Sequence, residues 1–299
     1  MSSVLAKAAP LLFVAMWSSG AIFVKLGLQD ASVLSFLLVR ALGAFAVIVL
    51  IAQVLVSERV RALFNLSIGE WIRVASVGLV LQVAYQVFFF AAIASGLSPG
   101  MLAIVLGMQP LLTPIMARQS VGRSRFIILL AGFAGLVLAI LGGHEVGVST
   151  PLGLAFGGCA VVSFTVGTLL QKGVRTGVVT SVIGQYAVSS LVYLVAVFLA
   201  GFHVEATPQF AVSALWMVFV VSAGAILLLV FMLDRSEVSD VSALFYLVPV
   251  ITYALDYAVF GNPVSFLTVA GGLIVVCCVF AFRRTNSPGH VSPEAKFSQ

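Results

Sequence analysis

The stretch Ser98–Arg118, SPGMLAIVLGMQPLLTPIMAR, stays apolar for about the thickness of a bilayer and carries Gln109-Pro110 at its middle. A helix needs roughly 20 residues to cross hydrocarbon, and each backbone polar group must find its partner within the protein. A proline in mid-helix removes one backbone hydrogen bond and crowds the preceding turn, so a kink is expected at Pro110. An offset of 139 residues lays the same design on VSDVSALFYLVPVITYALDYAVFGN. Pro110 then falls on Pro249, Thr113 on Thr252, Gly122 on Gly261, Ala131 on Ala270 and Gly132 on Gly271. Two interrupted helices at matching places in two halves point to a binding site between the halves, with Pro110 and Pro249 as paired hinges.

Composition agrees with a chain built of such segments. Hydrophobic residues make up 62% and charged residues 8% of the 299 positions, against roughly a quarter charged in a soluble domain. The apolar runs show none of the two-residue alternation of a porin strand, so the class is an all-α integral membrane protein. The net charge of +5 reads as a positive-inside bias and excludes a nucleic-acid surface, because no basic patch interleaves with aromatics. Cys159, Cys277 and Cys278 lie in apolar runs without metal-ligand spacing and are expected as buried thiols, with no metal or other cofactor implied. Lys7 followed by a full-length apolar run, with no A-x-A cleavage site, reads as a retained first helix.

Ten spans are expected, over residues 9–28, 32–55, 75–95, 98–117, 124–142, 151–171, 179–201, 210–232, 239–259 and 264–282. Under that count Lys7, Arg59, Arg61, Arg73, Arg118, Arg123, Arg125, Lys172, Arg175, Arg235, Arg283, Arg284 and Lys296 share one side. The opposite loops hold Asp30, His144, Glu145, His203, Glu205 and Asn262 without a Lys or Arg. Both termini are therefore expected in the cytoplasm. The organisation is then a tail over 1–8, five-helix repeats over 9–145 and 146–282 in inverted topology, and a disordered polar tail over 283–299. Gly20 and Lys25 of the first span match Gly167 and Lys172 of the sixth, and Arg40 can be laid on Gln185 with a changed offset.

WSSGAIFVKLGL, AIASGLSPGMLAIVLGMQPLLTPIMA and VSDVSALFYLVPVITYALDYAVFG together resemble the EamA branch of the drug/metabolite transporter superfamily. The resemblance covers nearly the whole chain. It implies a ten-helix carrier of the inner membrane, most like exporters of aromatic and other amino acids. Many members carry Gly-Glu after the fourth and ninth helices, where this chain reads Val121-Gly122 and Phe260-Gly261, so no role of that Glu carries over.

Gly96-Leu97-Ser98-Pro99-Gly100 matches the G-x-S-x-G of a hydrolase elbow, but that elbow uses the N–H after the Ser, which Pro99 lacks. No catalytic residue is assigned. Gly153-x-x-x-Gly157 and Ala131-x-x-x-Gly135-x-x-x-Ala139 are spacings that let helices approach closely, within one molecule or in a dimer. Polar residues deep in spans usually face the bundle interior. Trp17 and Ser18, Gln82, Tyr85 and Gln86, Gln109, Gln185, and Tyr246 and Tyr253 around Pro249 share such depth, with Phe164 and other aromatics beside them. For each, an interhelical hydrogen bond and a substrate contact stay open. Tyr and Trp pair an apolar face with a donor, which suits amphipathic solutes. Lys25 is placed to snorkel. Arg40 needs a partner, either Asp256 or a substrate carboxylate.

The reading is a secondary carrier for small amphipathic metabolites, amino acids foremost, working by alternating access. Its partners are the solute and membrane lipid. The alternatives are an importer or exchanger of a nucleoside, sugar or drug-like cation, and a receptor-type bundle. Of the ten acidic residues only Asp256 lies within a span, so flux without obligatory proton coupling is expected.

Overall fold

The computed structural model describes residues 3–118, 123–145, 149–225, 228 and 247–284. Its helices in chain order are α1 (Ser3–Gly27), α2 (Val33–Arg61), α3 (Ile68–Val77), α4 (Tyr85–Ala94), α5 (Pro99–Leu106) and α6 (Gln109–Met116). They continue as α7 (Arg123–Glu145), α8 (Pro151–Gln171), α9 (Val178–Ala200), α10 (Pro208–Leu215), α11 (Leu247–Phe260) and α12 (Phe266–Arg284). Among the described residues the only β pairing is a single bridge, Ala31 to Val204. Five helical stretches are long and apolar enough to cross a membrane: Val33–Val54, Ile68–Ala94, Pro151–Gln171, Val179–Ala200 and Pro208–Ala225. Five shorter apolar helices accompany them, at Leu11–Gly27, Pro99–Thr113, Phe126–Ala139, Ile251–Phe260 and Phe266–Cys278.

The helix starts follow local chemistry. Ser67 accepts from the N–H of Glu70, whose carboxylate accepts from the Ser67 N–H at 2.9 Å, a capping box that starts α3 seven residues before the expected 75. Ser98, Thr150 and Thr207 cap α5, α8 and α10, each followed by a proline in the first turn, where a missing N–H costs nothing. The Ser98 hydroxyl of the G-x-S-x-G match accepts from Met101 N and is buried, so it serves as a helix cap.

Two helices widen in mid-course. Gly78–Ala84 joins α3 to α4, and Trp216–Ala225 continues α10, both with π-type i→i+5 bonding. A shift of 139 residues places the first of these inside the second. Such turns are rare and gather at functional sites.

The packing follows a pattern of exchange between the chain's halves. α7 lies along α12, and α2 along α9. α4 packs on α8, as the π-type stretch after α10 packs on α1; α5 and α6 pack on α8, as α11 packs on α1; α5 also meets α11. The small-residue spacings serve these contacts within one chain. Gly271 of α12 sits against the backbone of Gly135 and Ala139 on α7, and a methyl there would come within 2.4 Å of Gly135 O and Ala139 N. Gly157 faces Leu97 and Leu102. Gly271→Leu should therefore force α7 and α12 apart. We expect a stability loss of about 1–3 kcal/mol, read as a lowered midpoint of thermal unfolding in detergent; an unchanged midpoint would contradict this packing.

The fold exposes large apolar side chains and holds polar ones inside. Phe198, Phe266 and Leu199 are more than three-quarters exposed, while Arg40, Gln185, Thr165, Thr252 and Asp256 are buried. An apolar exterior, with the polar groups held inside among the apolar core, suits hydrocarbon as solvent. The thiols follow the exterior. Cys159 and Cys277 are exposed and Cys278 half-buried, so the expectation of buried thiols is corrected: their helices turn these positions away from the interior.

Candidate functional site

The fourth apolar segment is broken where a kink was expected. α5 ends at Leu106, Gly107 and Met108 form a turn, and α6 begins at Gln109. Gly107 N bonds Ala103 O at 2.9 Å, and Met108 N bonds Val105 O at 3.1 Å in a tighter i→i−3 closure. Pro110 occupies the first turn of α6, which needs no N–H there. The interruption thus precedes the proline, leaving Leu106 without the i+4 donor that any other residue at 110 would offer. Pro249 lies within α11; the residues immediately before Leu247 are outside those described.

Beside the break lies a cavity of about 130 Å³, several times the space one water needs. Eight of the sequence-selected residues line it: Trp17, Ser18, Arg40, Gln82, Tyr85, Gln86, Gln109 and Phe164. The wall is completed by Tyr186 of α9, Met217 and Val221 of the π-type stretch after α10, Val248 and Thr252 of α11, and apolar residues of α4, α5 and α12. Both halves of the chain therefore contribute. Tyr85 and Phe164 stack across α4 and α8 with ring centroids 4.8 Å apart, and Phe89 meets Tyr85 edge-on at 5.8 Å. These rings form an aromatic wall at one side of the space.

Polar contacts brace the lining. Gln109 donates from Nε2 to Thr168 Oγ1 at 3.3 Å, tying α6 to α8. Thr252 Oγ1 donates to Ser18 O at 3.1 Å, joining α11 to α1. Tyr193 of α9 donates to Gln82 O at 2.6 Å, just where π-type bonding displaces carbonyls from the ordinary ladder. Trp216 donates from its indole to Ser19 Oγ at 2.9 Å and stacks on Phe23.

Some selected residues serve elsewhere. Gln185 donates to Gln171 Oε1 at 2.8 Å and Ser181 Oγ at 2.9 Å, away from the cavity; its neighbour Tyr186 takes the lining position because one residue along a helix turns the side chain by about 100°. Tyr253 does not line the cavity either; its ring covers Gly100 at the start of α5. Tyr246 lies outside the described residues. Phe89, Met217 and Val221 were not selected, since apolar residues in an apolar span carry no signal of their own.

The pairing of Arg40 with Asp256 is corrected. Asp256 is 1% exposed and accepts from Gly100 N at 3.2 Å and Asn262 Nδ2 at 2.8 Å. Its carboxylate is drawn to a helix N-terminus, where unpaired N–H groups favour an anion, and to the loop after its own helix. Lys25 sits over the Phe260 ring at 3.9 Å, near enough to Asp256 to act on it electrostatically. Arg40 stays 5% exposed at the cavity.

One further cluster ties together the loops at four helix ends. The loop after α1 meets the loop after α9: Ser32 N bonds His203 O at 3.1 Å, Glu205 N bonds Asp30 O at 2.7 Å, and His203 N bonds Ser35 Oγ at 2.9 Å. Thr207 donates to Asp30 Oδ2 at 2.6 Å, and Gln209 adds bonds to Leu26 O and Gln29. Nearby, Thr150 Oγ1 donates to Ser95 O at 2.5 Å.

No family model matches the chain. A curated relative, the uncharacterized transporter YvbV of Bacillus subtilis (strain 168), is 27% identical over 199 residues. The match takes in 61% of this chain and 62% of that protein, so it spans less than two thirds of the relative's length. A solved crystal structure aligns over 96% of this chain and 100% of its own with a TM-score of 0.65 at 17% identity, a likeness of fold. With its apolar helices and apolar exterior, the chain is a multi-pass membrane protein.

Proposed function

We propose that the chain is a secondary carrier of the inner membrane that exports small amphipathic metabolites, amino acids among them, by alternating access around the central cavity. One observation carries this reading: side chains from both halves converge on one cavity at the interrupted helix, in a bundle whose exterior is apolar. The similarity to a protein named as a transporter supports it. In this reading all ten apolar helices cross the membrane, and both termini are cytoplasmic. Residues 9–145 and 146–282 form the inverted repeats. The exchange pattern of helix contacts and the paired π-type stretches support such a duplication. Pro110 follows a break at which the chain can bend without losing a helical bond, and Pro110 and Pro249 act as the paired hinges in this reading.

Substrate counterflow into proteoliposomes, with a panel of amino acids and other small metabolites, tests the assignment. Preloaded unlabelled solute should accelerate uptake of its labelled form at least tenfold over protein-free liposomes. Absence of counterflow for every solute class would remove the carrier, and counterflow confined to non-amino-acid solutes would remove the amino-acid assignment.

A further inference from the structure

Among the described residues the cavity lining contains one cation, Arg40, and no acidic residue. Four of its lining side chains also hold polar atoms that are closed off from solvent and have no hydrogen-bond partner in the protein: Ser18 Oγ, Arg40 Nε, Gln82 Oε1 and Tyr186 OH. They come from four helical stretches, α1, α2, the π-type segment before α4, and α9. A buried polar atom without a partner costs about 1–3 kcal/mol, and an unpaired buried cation costs more. That four should border one space, among braced neighbours such as Gln109 and Thr252, marks groups held for a ligand. The nearest buried carboxylate by sequence expectation, Asp256, is committed to Gly100 and Asn262.

We infer that the solute bound here is a monocarboxylate anion with a planar apolar body and a hydroxyl beside the carboxylate. The inference rests on the carrier reading and narrows it. Arg40 supplies the positive charge and fork of donors that a carboxylate matches. Gln82 Oε1 accepts from the neighbouring hydroxyl, and Ser18 and Tyr186 can each donate or accept. The stacked rings of Tyr85 and Phe164, with Phe89 at their edge, receive the planar body. Charge balance separates a monoanion from a zwitterion. One negative charge balances Arg40, whereas the ammonium of an amino acid would restore an uncompensated cation in a lining whose described residues hold no carboxylate.

The test is equilibrium binding to the purified full chain in detergent, with labelled 3-phenyllactate as probe. Competitors of similar body are 3-phenylpropanoate, which lacks the hydroxyl, phenylalanine, the zwitterion, and phenethylamine, the cation. We expect 3-phenyllactate to bind most tightly, with 3-phenylpropanoate several-fold weaker, phenylalanine at least tenfold weaker, and no competition from the amine. Arg40→Gln should weaken 3-phenyllactate at least tenfold, with Arg40→Lys between the two. Should Arg40→Gln fail to fold, as judged by its unfolding midpoint, Gln82→Glu serves instead: an acid in the same lining as Arg40 neutralises the cavity and should abolish binding of the anion, with the amine still excluded. Phenylalanine binding as tightly as 3-phenyllactate, no binding of 3-phenyllactate at millimolar concentration, or indifference to the Arg40 and Gln82 changes would overturn the inference. Counterflow that survives Arg40→Gln would remove this site and leave the carrier. Arg40-dependent binding without any flux would remove the carrier and leave the site.

Discussion

A disulfide between residues 31 and 204 is expected to abolish transport. These residues are bridged as an antiparallel pair between the loop after α1 and the loop after α9, and directly opposed residues of such a pair hold their β-carbons about 4.5–5.5 Å apart, near the separation a disulfide spans. The two loops are already tied by Asp30, Ser32, Ser35 and Thr207, so the cross-link would hold an existing contact and not impose a new one. In a background with Cys159, Cys277 and Cys278 replaced by Ser, the Ala31→Cys/Val204→Cys chain should lose more than nine-tenths of its counterflow on oxidation and regain it on reduction. Each single Cys variant should be insensitive to oxidant. The logic is that alternating access requires this end to open once in each cycle, and a covalent tie stops the cycle at one side. Undiminished counterflow by the oxidised, fully cross-linked protein would mean that the loops stay joined throughout transport, and that opening occurs elsewhere.

Removing the Asp256 carboxylate should be the most damaging single change outside the cavity. Asp256→Ala leaves the Gly100 N–H and the Asn262 amide without their acceptor in a buried setting, at about 1–3 kcal/mol for each group. We expect transport to fall at least tenfold, with α5 loosened from α11. Asp256→Asn keeps an oxygen able to accept from Gly100 and should retain most of the flux, because Asp256 in this reading holds a helix end and carries no proton. A protonophore should accordingly leave downhill flux in liposomes unchanged. Uphill accumulation driven by an imposed pH gradient, and lost in Asp256→Asn, would make Asp256 the coupling site and overturn this account.

Much of the layout was legible because apolar length is a direct physical requirement of a membrane span. The stretches at Pro151–Gln171 and Val179–Ala200 coincide with expectation to within a residue. The third stretch starts early, since Ser67 and Glu70 form a cap that hydropathy does not register. The cavity was legible wherever a polar residue stood alone in an apolar run, as with Gln82, Gln86 and Gln109. It was illegible at Gln185 and Tyr253, where polar side chains are consumed by neighbours that depth in a span does not reveal. Asp256 shows the same limit. Its depth matched that of Arg40, but the donor it found was the backbone of Gly100, and main-chain groups leave no mark in the residue pattern. Met217 and Val221 could not be distinguished from any other apolar residue.

The widened stretch at Gly78–Ala84 sets a mechanical property of the wall that follows it. Tyr85, Gln86 and Phe89 begin the next regular helix and face the cavity. Each residue of an α-helix advances the chain by about 100° and 1.5 Å. Drawing the stretch tighter by a single residue would turn that aromatic face through roughly a quarter of a revolution while trading one backbone bond for another. Such a change would make the wall a dial on a short axle, while the second widened stretch, at Trp216–Ala225, carries Met217 and Val221 of the lining within itself.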